Sequence, residues 1–117
     1  MKDENVIKEK SVKFAIRIVD MYKYLSETKQ ENVMSKQLLR SGTSIGANVS
    51  EGVYAQSRND FISKMSISLK EAAETEYWLE LLIKTGYITE KQYHSINEDC
   101  REIIKVLAAI VKNTKKE

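Results

Sequence analysis

The sequence has no proline, and only four glycines among its 117 residues. Proline is the main helix breaker, so nothing of that kind interrupts long helices here. A single cysteine, Cys100, excludes an internal disulfide and a cysteine-based zinc site. A single histidine, His94, cannot supply the two Glu-x-x-His pairs of a di-iron bundle, and the residue three before it is Lys91. There is no phosphate loop, no Rossmann glycine fingerprint and no zinc-helix motif. No apolar run reaches the length of a membrane span, and residues 1–10 are polar and charged rather than signal-like. A cytoplasmic protein without a membrane segment is therefore expected. Neither sign of charge dominates: 19 Lys and Arg stand against 17 Asp and Glu. The distribution of charge, not its total, has to decide about nucleic acid. His94 on a polar helix face reads as a solvated side chain, and Cys100 on an apolar face as a small core residue. No metal, cofactor or active site is implied, and an enzyme is not expected.

What is present is helical periodicity. The first helix is expected over about residues 4–27, with Ile7, Phe14, Ile18, Met21 and Leu25 on one stripe. A polar connector follows at 26–30. The second helix is expected over about 31–56. A break at Ser57-Arg58-Asn59-Asp60 offers a capping side chain in Ser57 or Asn59, and the third helix then runs to about residue 84. Gly86 suits a left-handed residue just past a helix end. Thr89 and Gln92 have capping-box spacing, and Ile88 and Tyr93 have hydrophobic-staple spacing, before a fourth helix that runs to about residue 113. Four helices with short connections predict an all-α, antiparallel up-down-up-down four-helix bundle, one domain over 1–117.

The least ordinary stretch is residues 39–52, which holds three of the four glycines yet keeps helical apolar spacing through Met34, Leu38, Ile45 and Val49. A mid-helix glycine costs about 1 kcal/mol relative to alanine. Such a helix gains from close backbone approach, and Gly42 and Gly46 have the small-xxx-small spacing of tightly paired helices. Arg40, Ser44, Asn48 and Glu51 share one edge beside the apolar stripe. They form either a solvated face or a polar seam in which Arg40, Asn48 and Glu51 satisfy one another or a neighbouring subunit.

The third helix is apolar on two sides. Its main stripe is joined by a second cluster of Ile67, Trp78 and Leu82, and Glu76 sits within the main stripe. A bundle helix needs only one buried face, so Ile67, Trp78 and Leu82, with Gly42 and Gly46, are the expected oligomer interface. Glu71, Glu74 and Glu80 read as surface charge. Two basic lines stand out, Lys10, Lys13 and Arg17 on the first helix and Arg101, Lys105 and Lys112 on the fourth. These six are the candidate nucleic-acid contacts. Acidic residues mixed among them are equally compatible with solvated faces. No aromatic residue is interleaved for base stacking, so binding would be to backbone and largely sequence-independent.

The run Ser44-Ile45-x-x-Asn48-Val49-x-Glu51-Gly52 resembles the signature of the four-helix-bundle proteins encoded in intervening sequences of bacterial 23S ribosomal RNA genes. Phe61-Ile62, Ser68-Leu69-Lys70-Glu71-Ala72, Tyr77-Trp78-Leu79-Glu80-Leu81-Leu82 and Gly86-Tyr87-Ile88 continue the likeness over nearly the whole chain. The Tyr77 to Leu82 run is most similar to the branch that holds the accessory variability determinant of diversity-generating retroelements. Val49-Ser50 departs from the isoleucine or leucine followed by alanine of many members. The resemblance implies an antiparallel bundle that assembles as a ring-like homopentamer. It also implies binding to RNA or DNA and, in the retroelement branch, to a reverse transcriptase. The other reading is a structural or protein-interaction module with no nucleic-acid role.

Overall fold

A computed structural model describes residues 2–116. Four helices follow one another: α1 (Lys2–Lys23), α2 (Met34–Val53), α3 (Arg58–Lys84) and α4 (Glu90–Lys116). No strand occurs among the described residues. α1 packs on α2 and α4, and α3 packs on the same two, which closes a four-cornered bundle measuring 46 × 21 × 18 Å. The direction of each neighbour pair follows from its contacts. Lys10 meets Glu102 while Arg17 meets Asp99, so α4 descends as α1 rises. Ser41 meets Thr75 while Ile45 meets Ser68, which makes α2 and α3 antiparallel as well.

The core is the set of apolar stripes read from the periodicity. Ile7, Phe14 and Ile18 of α1, Leu38, Ile45 and Val49 of α2, Met65, Ala72 and Leu79 of α3, and Ile96, Ile103 and Leu107 of α4 are all buried. Burying each of these side chains larger than alanine contributes about 1.5–3 kcal/mol.

The chain breaks have local causes. Ser57 Oγ accepts from the Asp60 N–H at 3.1 Å and starts α3. Gly86, at φ +85°, ends it, with the Tyr87 N–H donating to the Leu82 carbonyl at 2.9 Å and the Gly86 N–H to that of Ile83 at 3.0 Å. The predicted capping box of α4 is formed in both directions: Thr89 N–H to Gln92 Oε1 at 2.8 Å and Gln92 N–H to Thr89 Oγ1 at 3.1 Å.

The first connection differs from the expectation. α1 ends at Lys23 and widens into a π-helical turn, Tyr24–Thr28, closed by the Lys29 N–H on the Tyr24 carbonyl at 3.2 Å. Leu25, within this turn, is fully buried. α2 then begins at Met34 rather than near 31, because Glu31 serves as its cap from outside the helix. The Glu31 carboxylate accepts the N–H groups of Val33 at 3.1 Å, Met34 at 3.0 Å and Ser35 at 2.7 Å. Burial pushes this carboxyl up, but the donors of Ser35, Met34 and Val33 outweigh it and hold it below the usual carboxylate range. α2 also ends earlier than expected, at Val53, and α4 continues past 113 to Lys116.

Candidate interaction surfaces

The glycine-rich helix draws close to its own neighbours. A Cβ placed on Gly42 would lie 2.7 Å from Ile18 Cγ1, and one on Gly52 would lie 2.5 Å from Met65 Cε. Gly46 is less confined, with Ser11 Oγ at 3.4 Å from such a Cβ. Gly42 thus serves the packing of α2 on α1 within one chain. Leu82 is fully buried in the same core. The expectation that these two residues face a neighbouring subunit is corrected: neither is accessible to one. Of the other three, Ile67 is 41% exposed, Trp78 packs partly buried against the core, and Gly46 lines an open groove.

The edge of α2 that carries Arg40, Ser44, Asn48 and Glu51 is a seam, and its partner is α3. Arg40 spans two carboxylates, bonding Glu71 Oε2 at 3.0 Å and also Glu74. Trp78 Nε1 donates to Glu74 at 2.9 Å. Glu51 pairs with Lys64 at 3.1 Å, and Asn48 donates to the Ser44 carbonyl at 2.9 Å. The Trp78 indole N–H, then Arg40, hold the Glu74 carboxyl below its usual range, and Glu74 in turn raises Arg40. Glu71 and Glu74 are therefore half-covered partners in a network rather than free surface charge. Beneath the seam, Thr75 Oγ1 donates to Ser41 Oγ at 2.9 Å and Ser68 Oγ to the Ile45 carbonyl at 2.8 Å, all fully buried. These small hydroxyls satisfy themselves where two helices approach closely.

The two basic lines divide by what they already hold. Arg17 bonds Asp99 at 2.7 Å, the Ser95 carbonyl at 3.0 Å and Ser95 Oγ at 2.8 Å, clamping α1 to α4. Lys10 lies 3.8 Å from Glu102, Lys13 pairs with Glu9 at 2.9 Å, and Arg101 pairs with Glu76 at 3.1 Å. Lys105 and Lys112 are exposed and make no ion pair among the described residues. A phosphate would find these two lysines unoccupied and would have to displace a carboxylate at the other four sites.

The surface that periodicity missed lies between α1 and α2. Val12 is 50% exposed and Ile16 58%, beside Ala15, Val19, Gly46 and Ala47 in a shallow apolar groove. Its signal was present as a second stripe on α1, since Val12, Ile16 and Val19 recur at steps of four and three on the side away from the core.

Burial, then the neighbouring Glu76 carboxylate, push the Cys100 thiol up to about 12, which leaves it protonated near neutrality. His94 is exposed, edge-on to Tyr93 at 5.3 Å between ring centres. Among the described residues no group of three or more His, Cys, Asp or Glu could hold a metal ion. Among the described residues no helix is long and apolar enough to cross a membrane.

Comparison with known proteins agrees with this architecture. The crystal structure of a Bacteroides thetaiotaomicron protein with unknown function, from the S23 ribosomal protein family, superposes with a TM-score of 0.93 at 63% sequence identity. That match covers 94% of this chain and 98% of the other. No curated protein matches the sequence. The family profile described as 23S rRNA-intervening sequence protein matches residues 3–109. The chain belongs to the 23S rRNA-intervening sequence protein family.

Proposed function

We propose that this protein is a non-enzymatic, self-assembling four-helix-bundle module. The observation that carries this reading is the exposed apolar groove of Val12 and Ile16 on α1 beside the small residues of α2. Val12 and Ile16, each at least half exposed, would leave water on assembly, which favours it. The family resemblance adds a ring-like homopentamer. Light scattering at micromolar concentration tests it. A mass near five times 13.5 kDa is expected, and a mass of 13.5 kDa at every concentration overturns it.

A second reading is nucleic-acid binding by the assembled form, as an accessory factor for a reverse transcriptase. Lys105 and Lys112, exposed and unpaired along one side of α4, favour it. Repeating them around an assembly would let weak phosphate contacts add. Co-purification with a reverse transcriptase encoded beside the gene tests the accessory role. Absence of such a gene, together with no RNA or DNA binding at low salt, leaves the module as a protein assembly alone.

A further inference from the structure

We propose that the cleft between α1 and α4 is a binding site for a small zwitterion, an α-amino acid with an aliphatic side chain. This goes beyond the assembly reading and does not depend on it. The cleft holds about 130 Å³. Each helix gives it the same arrangement in opposite sign. α1 contributes Lys10 and then, three and four positions on, Lys13 and Phe14; α4 contributes Asp99 and then Glu102 and Ile103. Residues three and four apart share a helix face, so each helix brings two like charges and one apolar side chain to the cleft. Phe14 and Ile103 are each 1% exposed and form its floor. One wall is cationic and the other anionic.

The four charges differ in what they already hold. Lys13 pairs with Glu9 at 2.9 Å, and Asp99 with Arg17 at 2.7 Å. Lys10 and Glu102 face each other across the cleft at 3.8 Å, beyond hydrogen-bond length, on half-exposed side chains. This ammonium and this carboxylate keep their hydrogen bonds for a third group. The signs of the walls select that group. A simple anion would be attracted by Lys10 and Lys13 and repelled by Asp99 and Glu102, and a simple cation the reverse. A molecule that carries both charges satisfies both walls. Its carboxylate accepts from Lys10 Nζ, and its ammonium donates to the Glu102 carboxylate. An aliphatic side chain then covers Phe14 and Ile103 and leaves water. A cavity of about 150 Å³ takes a benzene molecule, so this cleft suits a side chain of valine or leucine size.

Three matched probes test this, each titrated into the isotope-labelled wild-type protein and followed by backbone amide NMR shifts. L-leucine carries both charges, isocaproate lacks the amine and isoamylamine lacks the carboxylate. Leucine is expected to shift the amides of Lys10, Phe14, Asp99 and Ile103 along one saturating curve. Each analogue, short of one charge-assisted hydrogen bond, is expected to need about tenfold more for the same shift. Lys10→Gln and Glu102→Gln, both at exposed positions, should keep the wild-type circular dichroism and each weaken leucine by about tenfold. Either analogue binding as well as leucine would show that one wall suffices and overturn the zwitterion assignment. Leucine binding unchanged in both variants would overturn the placement. No saturation up to the solubility limit of leucine would overturn the site itself.

Discussion

Gly42 of α2 lies directly against Ile18 of α1, so close that three Ile18 side-chain atoms fall within 3.0 Å of where a Cβ would stand. Ile18 is fully buried and branched, with no room to turn aside. Gly42→Ala gains about 1 kcal/mol of helix propensity but overpacks the contact by about 1–3 kcal/mol. Net destabilisation of about 1 kcal/mol is expected from urea unfolding, and less than that on an Ile18→Ala background, which removes all three crowding atoms. Gly46→Ala, whose Cβ would meet Ser11 Oγ at 3.4 Å, should be neutral or stabilising. Equal effects at the two glycines would contradict this account of the close approach.

Glu31 governs the start of α2. Replacing it with alanine removes three hydrogen bonds to backbone N–H groups and should destabilise the fold by about 1–2 kcal/mol. The folded carboxyl is held below its ordinary value of 4.5, so the unfolded chain binds its proton first as pH falls. The stability it contributes is present above about pH 4.5 and is lost as pH drops through the lowered folded value. Glu31→Gln should flatten the acid limb of stability against pH without abolishing it, because Glu74 is lowered too. Thermal melts from pH 6 down to about 2.5 would show it.

Trp78 is the sole tryptophan and donates its indole N–H to Glu74. Its fluorescence should therefore titrate with Glu74, with a midpoint below 4.5, and Glu74→Gln should remove that step. Arg40→Lys should raise the midpoint, since an ammonium cannot span Glu71 and Glu74 as a guanidinium does. A midpoint indifferent to Arg40 would show that the pair does not persist in solution.

Nucleic-acid binding, if it follows the free lysines, should depend on Lys105 and Lys112. Alanine at both should make the slope of log affinity against log salt shallower, by roughly 0.9 for each duplex phosphate no longer neutralised. Arg17→Ala should act chiefly on stability, by about 0.5–1 kcal/mol for a half-exposed pair, because its guanidinium already holds Asp99 and Ser95. Filter binding across a salt series, paired with melts, separates the two effects. A slope unchanged by the α4 substitutions would show that these lysines do not touch the phosphates.

Much of the fold was legible in the residues because its signals are local. Ser57, Gly86 and the Thr89–Gln92 pair each punctuate the chain through their own backbone neighbours. The start of α2 was not legible in this way. Glu31 caps from outside the helix, and it reads in sequence as one more acidic helix former. The polar edge of α2 was visible as an edge, but its partners Glu71, Glu74 and Lys64 lie on another helix, and periodicity carries no register between helices. For the same reason Leu82 read as an outward residue although it is fully buried, and Ile16 went unnoticed although it is more than half exposed.

The central claim, that the uncovered groove of Val12 and Ile16 joins copies of this chain, is tested most directly by the sedimentation mass of the unmodified protein at low micromolar concentration. A single species at a whole multiple of 13.5 kDa is predicted, falling to 13.5 kDa when Ile16 alone is replaced by glutamate. A wild-type species that stays at 13.5 kDa across a hundredfold range of concentration would contradict it.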